Sequence, residues 1–354
     1  MNRLFIGMRR AGVLAAVVLL ASSDAAWAGT ANAGLRHAPK GNPLAGIRWG
    51  VYQGPSDGVW PAYAAARGRN KRLLARIALQ PRAVWDGSWD GSPTATAQAS
   101  IQESTQGDSN VLTQVAIFRL NPWESCSGSW SSANQASYKA WVRSYAAGIG
   151  SARVALILQP DMPFAVCVPS AVPEQLTAYA ANVFDALPHT TVYIDAGAYE
   201  WYSPALMAQM LERSGIRHSR GFALNVTQYG STAQELGWGA QINQALTTAG
   251  ARDKHFVINT DENGTPYLAG QVPGGGAASN YTPRCSRPGQ QLCQQLGIPP
   301  TTDVANPRWG LSAADRAIAK SQIDAYMWLG RPWLYNGGGF VLSYALNLGA
   351  DDPY

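Results

Sequence analysis

Histidine is scarce in this 354-residue sequence, with four copies, and where those copies fall excludes more than their number does. His37 lies in a polar lead-in. His189, His218 and His255 each fall at or just before a run that reads as a strand, the end of a β/α unit that does not carry chemistry. A Ser-His-Asp or Cys-His mechanism is therefore not expected. The four cysteines, Cys126, Cys167, Cys285 and Cys293, have no spacing that resembles a zinc site, so neither a metal nor a cofactor is expected. Charged side chains make up only 14 %, and the net charge of +5 is spread without a dense Lys/Arg cluster. That excludes nucleic acid as a natural partner. No segment is apolar for long enough to span a bilayer, no Gly-rich nucleotide-binding turn follows a strand, and no Ser/Pro linker or anchoring signal stands out.

What is present points outward. Arg3, Arg9 and Arg10 precede an apolar run from Ala11 to Ala21, and Ala26-Trp27-Ala28 supplies small residues before Gly29. This reads as a secretory leader over 1–28, followed by a flexible lead-in over 29–41 and a single domain over 42–354. An even number of cysteines suits an oxidising compartment, and a secreted monomer that meets no membrane is expected. Thirteen tryptophans and fifteen tyrosines supply many flat amphipathic rings, the surfaces on which sugars stack.

The chain alternates short apolar runs with helical patterns. Strands are expected at Ile47–Tyr52, Ile77–Trp85, Leu112–Phe118, Val154–Leu158, Thr191–Asp195, Gly221–Val226, His255–Asn259 and Asp324–Leu329. Helices are expected at Trp60–Arg76, Ala97–Thr105, Ser132–Gly148, Val172–Leu187, Ala205–Ser214, Ala233–Thr248 and Leu311–Ser321. The run Val154–Leu158 has no polar stripe and is bounded by Gly150 and Pro160, as a strand buried on both faces should be. The fold class is α/β, a distorted (β/α) barrel of seven or eight parallel strands, TIM-like.

In such a barrel the working face is at the strand tails. Asp161, Asp195, Asn225, Asn259, Asp261 and Glu262 all fall there, with Trp85, Tyr199 and Trp201 nearby. Carboxylates among aromatic rings describe a site for a neutral polyhydroxylated substrate, in which a carboxylic acid protonates a leaving oxygen.

Tyr193-Ile-Asp-Ala-Gly197 followed by Trp201, Gly221 to Val226, Phe256 to Thr260 with Asn263-Gly264, Pro300-Thr-Thr302, and Asp324 to Trp328 resemble, in order, the motif blocks of glycoside hydrolase family 6, the cellobiohydrolases and endoglucanases. Asn42-Pro43, Gln80-Pro81 to Trp85 and Gln159-Pro-Asp161 resemble its earlier blocks. The resemblance implies a secreted glucanase that cleaves 1,4-β-glucosidic bonds of cellulose or a related β-glucan with inversion. It implies Asp161 as proton donor, Asp195 as the supporting aspartate, Trp85 and Trp201 as sugar-stacking rings, and Asn225 as a sugar contact or a structural amide. Asn259 and Trp328 fall in the same blocks and, with Asn336, are expected on the substrate side. Cys126 with Cys167 matches a pair beside the acid; Cys285 matches a cysteine of a second bridge, with Cys293 as its nearest mate.

Departures from the family's pattern bear on the chemistry. The aspartate expected immediately before Cys126 is Ser125, with Glu124 one position earlier. A second aspartate near the C-terminus corresponds to Asn336, a lysine near it is replaced or shifted to Arg331, and a substrate-side arginine corresponds to Glu262. An inverting hydrolase needs a route for the proton of the attacking water. Two readings follow: a hydrolase in which Glu124, or Asp261 and Glu262, substitutes on the base side, and a glycan-binding protein without turnover. As to export, the secreted chain is expected to begin at Gly29; mass spectrometry of its N-terminal peptide checks this, and an uncleaved Met1 peptide would refute it.

Overall fold

The computed structural model describes residues 41–120, 131–165, 171–199, 201–266, 285, 290, 293–334 and 338–354. Seven parallel strands form one sheet in chain order: β1 (Val84–Gly87), β2 (Thr113–Phe118), β3 (Val154–Leu158), β4 (Thr190–Asp195), β5 (Gly221–Leu224), β6 (His255–Asn259) and β7 (Ile323–Met327). The sheet curls into a half-barrel. Between β7 and β1 there is no ladder among the described residues; a backbone bond from Ala83 N to Trp328 O (2.9 Å) crosses that seam.

The curl follows from side-chain size. Ala116, Ala155, Ile157, Tyr193, Ala223, Val257, Ala325 and Met327 form the inner cluster, and four of these eight are alanines. The alternate positions Val115, Ile117, Leu156, Leu158, Val192, Ile194, Phe222, Leu224, Phe256 and Ile258 form the outer cluster. A parallel sheet must be covered on both faces. Here the outer face is covered by helices, and the small inner residues let the inner face close on itself.

The helices are α1 (Val59–Ala65), α2 (Gly68–Ala78), α3 (Pro93–Thr105), α4 (Ser132–Ile149), the single turn α5 (Met162–Ala165), α6 (Val172–Asp185), α7 (Pro204–Arg213), α8 (Thr232–Thr248), α9 (Ala313–Gln322) and α10 (Leu342–Ala350). Five begin on a serine cap: Ser92, Ser131, Ser203, Ser231 and Ser312 each accept a hydrogen bond from the backbone N–H three residues on. Each cap satisfies a donor that the first helical turn leaves unpaired.

Two expected strands are corrected. Ile47–Tyr52 forms no strand: Trp49 makes an isolated parallel bridge with Leu112, and Gly50 and Gly54 on either side of Tyr52 give the segment little to pair with. Ile77 and Ala78 close α2 rather than opening a strand, because Leu74, Ile77 and Ala78 lie on that helix's buried face at helical spacing. The strand begins only at Val84, after Pro81. The single helix expected at Trp60–Arg76 is two, since Ala66 and Arg67 adopt extended backbone. α10 was not expected and packs against α2.

At the N-terminal end of the strands a buried polar cluster ties β4, β5, β6 and β7 together. Arg220 donates to Asp324 from Nε (2.8 Å) and Nη2 (2.9 Å), Tyr193 Oη donates to Asp324 Oδ2 (2.7 Å), and His255 Nδ1 lies 3.3 Å from Asp324 Oδ1. Histidine is thus part of the base of the fold. Breaking such a pair leaves an uncompensated buried charge. Asp324→Ala is expected to lower unfolding free energy by about 3–5 kcal/mol, read from urea denaturation; a loss below about 1 kcal/mol would show that the cluster is not a support.

Candidate active site

Asp161 stands at the tail of β3, where two of three successive residues leave ordinary backbone space. Gln159 and Asp161 both have φ of 60° and flank Pro160, a conformation that non-glycine residues adopt rarely and at a cost. The surroundings over-determine it. Gln159 N donates to Ile117 O (2.8 Å), and Gln159 Oε1 accepts from Arg119 N (3.2 Å) and Leu120 N (2.9 Å), which fastens the tail of β3 to the tail of β2. Asp161 N donates to Asp195 Oδ2 (2.9 Å). Phe164 N then donates to Asp161 O (2.9 Å) in the turn α5.

The Asp161 carboxyl is half-buried, and Thr227 Oγ1 donates to its Oδ1 at 2.6 Å. Asp195, the last residue of β4, is fully buried. Burial first, and the neighbouring Asp161 charge second, push the Asp195 carboxyl well above the usual carboxylate range. Two acidic groups on adjacent tails, one of them in surroundings that disfavour its charged form, are an arrangement suited to proton transfer.

Aromatic rings stand on both sides. Trp201 and Phe164 are in face contact, with centroids 4.4 Å apart at 33°. Trp201 also lies against Gly197, whose φ of 76° and missing side chain are both required: a Cβ there would come within 2.4 Å of Trp201 Cε3. On the other side Trp85 is only 8 % exposed. Its Nε1 donates to Leu329 O (2.6 Å), and the Arg331 guanidinium covers its face at 4.1 Å. Phe118 meets Trp85 edge-on at 5.7 Å and Trp89 at 6.2 Å.

The amides expected at the substrate side face inward. Asn225 Nδ2 donates to Asn259 O (3.2 Å), and Asn259 Nδ2 donates back to Asn225 O (3.0 Å). Asn225 Oδ1 accepts from Gly230 N, while Asn259 Oδ1 accepts from Leu329 N (2.8 Å). Both are fully buried and join the tails of β5, β6 and β7, so Asn225 is a structural amide here. Trp328 is 1 % exposed, packs with Leu74, Ile77 and Trp333, and donates to Ile298 O (3.1 Å). That ring belongs to the core, not to a substrate surface: once β7 ends at Met327 the chain turns it toward α2 and α10.

Asp261 and Glu262 do come together. A Cβ at Gly330 would lie 2.8 Å from Asp261 Oδ1 and 2.9 Å from Glu262 Oε1. Glu262 Oε2 accepts from Gln294 Nε2 (2.7 Å). Asp261 is fully buried. Burial raises its carboxyl to about 7, with Asn259 and Arg331 opposing. Cys285 and Cys293 form a disulfide. Glu124, Ser125, Cys126, Cys167 and Asn336 lie outside the described residues. Among those described, no group of acidic, histidine or cysteine side chains could hold a metal ion, and no helix is long and apolar enough to cross a membrane. Reading the sequence missed Thr227, two residues beyond Asn225; Phe164, three beyond Asp161; and Trp89, four beyond Trp85.

A family model described as Glycosyl hydrolases family 6 matches residues 52–331. Endoglucanase 1 of Streptomyces halstedii is 31 % identical over 224 residues, which cover 61 % of this chain and 69 % of that protein. Endoglucanase A of Cellulomonas fimi is 34 % identical over 217 residues, 61 % of this chain but only 47 % of that longer protein. Among solved structures, the endoglucanase Cel6 from Mycobacterium tuberculosis, in complex with a methyl-cellobiosyl-thio-cellobioside, superposes with a TM-score of 0.68 at 25 % identity over 88 % of this chain and 99 % of that one. The cellobiohydrolase Cel6A catalytic core from Chaetomium thermophilum shares the fold at 17 % identity, with a TM-score of 0.64 over 88 % of this chain and 99 % of that one.

The buried Asp261 carboxyl has a thermodynamic signature. With its folded pKa near 7 and an unfolded value of about 4, the native state binds more protons than the unfolded state between those limits, so this group makes stability fall as pH rises through that window. Asp261→Asn does not titrate. Its stability relative to wild type is expected to rise by roughly 2–4 kcal/mol from pH 4 to pH 7.5 and then level off. Paired urea titrations check this; a difference that is flat with pH would show that Asp261 is ionised throughout.

Proposed function

Because the chain belongs to glycosyl hydrolases family 6, we propose that it hydrolyses 1,4-β-glucosidic bonds of cellulose or a related β-glucan, with inversion and with Asp161 as the proton donor. The observation that carries this reading is the pairing of Asp161 with Asp195, a half-buried acid whose backbone is held by a fully buried carboxyl. When Asp161 gives its proton to the glycosidic oxygen, a negative charge forms on its carboxylate. Thr227 Oγ1, at 2.6 Å, donates to that carboxylate, and burial, which disfavours the charged form of Asp195, weakens the repulsion between the two acids. Asp195 therefore acts by positioning: it fixes the backbone that aims Asp161.

Inversion requires that an attacking water lose a proton on the opposite face of the sugar. Asp261 and Glu262 are both buried, and Glu262 is held by Gln294; we therefore assign the base side to Glu124, one residue from where the family pattern has an aspartate. The apolar run that precedes Gly29 and the Cys285–Cys293 bridge support export to an oxidising compartment. The alternative, a glycan-binding protein without turnover, is favoured by one observation, the replacement of both expected base-side aspartates by Ser125 and Asn336.

Reducing ends released from a soluble β-glucan separate the two. Wild type is expected to release them, and Asp161→Asn to lower kcat by about 10²–10⁴, with Glu124→Gln also slower. NMR of the first-formed anomer should show the α product. Binding without turnover by wild type would establish the alternative, and unchanged activity in Asp161→Asn would remove Asp161 from the chemistry.

A further inference from the structure

The inner rings of this rim are covered to different degrees, Trp85 almost wholly and Trp201 in part. Trp85 carries the Arg331 guanidinium 4.1 Å above its ring and is 8 % exposed. Trp201 lies between Gly197 and Phe164. Two other rings are open instead. Trp89 is 52 % exposed and Phe164 is 41 % exposed, and each leans on an inner ring: Trp89 on Phe118, which in turn meets Trp85, and Phe164 on Trp201.

Both are held in place. Asp90 Oδ2 accepts from Gly87 N (2.7 Å), which closes the turn that carries Trp89, and the indole folds back over Gly87, where a Cβ would come within 2.6 Å of it. Phe164 sits on the α5 turn, hydrogen-bonded through its amide to Asp161 O. The strand order places them on opposite flanks of Asp161. Trp89 follows β1, two strands away, about 10 Å across the sheet, while Phe164 leans toward the β4 side. Gly87 pairs with Phe118 and Ile117 with Leu158, so these tails form one level rim.

We infer that Trp89 and Phe164 are the rings that contact the pyranose units on the two sides of Asp161, and that Trp85 and Trp201 serve as their backing. The inference rests on the β-glucan reading above and names the side chains that set how that substrate lies. A pyranose has a C–H face that packs on an aromatic ring, and neither side need be charged. Rings already partly covered by protein on one side lose little freedom when a sugar covers the other.

The test uses the full chain carrying Asp161→Asn, so that turnover is slow on the time of the titration, and titrates it with a soluble hexamer of β-1,4-linked glucose by calorimetry. Trp89→Ala and Phe164→Ala are each expected to weaken binding about tenfold, while Trp89→Phe, which keeps a ring, stays within about threefold of the parent. Both positions are exposed, and unchanged urea midpoints will show that the fold is intact. An alanine variant that binds within twofold of a parent that does bind overturns the assignment of that ring and leaves the β-glucan reading standing. A parent that does not bind the hexamer removes both.

Discussion

The unequal size of the side chains on the two faces of the parallel sheet governs this molecule. Ala116, Ala155, Ala223 and Ala325 hold the inner face narrow, while Leu156, Phe222 and Phe256 thicken the outer face and anchor the helices. A sheet built this way must bend toward its small side. Bending brings the tails of β1 to β7 onto one rim, and the chemistry-bearing side chains assemble there because a parallel sheet has all its tails at the same end. The base of the same curl is filled by Arg220, Tyr193, His255 and Asp324.

On the rim the governing quantity is how much water each carboxyl can reach. Asp195 and Asp261 are both enclosed, and enclosure disfavours their charged forms. Asp161 is half-buried, its amide donates to the Asp195 carboxyl and its own carboxyl accepts from the Thr227 hydroxyl. Three groups of one chemical type therefore differ in their surroundings alone. Arg331 belongs to the same pattern: burial lowers its guanidinium to about 10 although Asp57 and Asp261 oppose this, and it spends its flat face on Trp85.

Much of this was legible in the sequence where one physical signal dominated. The apolar runs at Val154–Leu158 and His255–Asn259 lie between breakers, and both strands have the expected bounds. The order of motif blocks gave the barrel class, and the tails of β3 and β4 do bring Asp161 and Asp195 together. The opening of the domain was not legible, because Ile77 and Ala78 are apolar in either a helix or a strand and only their packing with Leu74 decides. Side-chain direction was not legible either. Asn225 and Asn259 sit at strand tails as expected, yet each turns to seal a neighbouring tail. Trp328 fills the core beneath the rim. The covering of Trp85 by Arg331, more than 200 positions downstream, and the seat of Trp201 against Gly197 are not visible from local pattern.

The left-handed backbone at Gln159 constrains how this protein can be made hardier. Glycine at that position would relax φ but would also release the amides of Arg119 and Leu120, which Gln159 Oε1 holds from across the β2–β3 boundary. The residue is therefore locked between two opposing demands, a conformation it disfavours and a clamp only its side chain supplies. Thermal hardening is better sought in the outer helices, where a substitution leaves the alignment of Asp161 untouched.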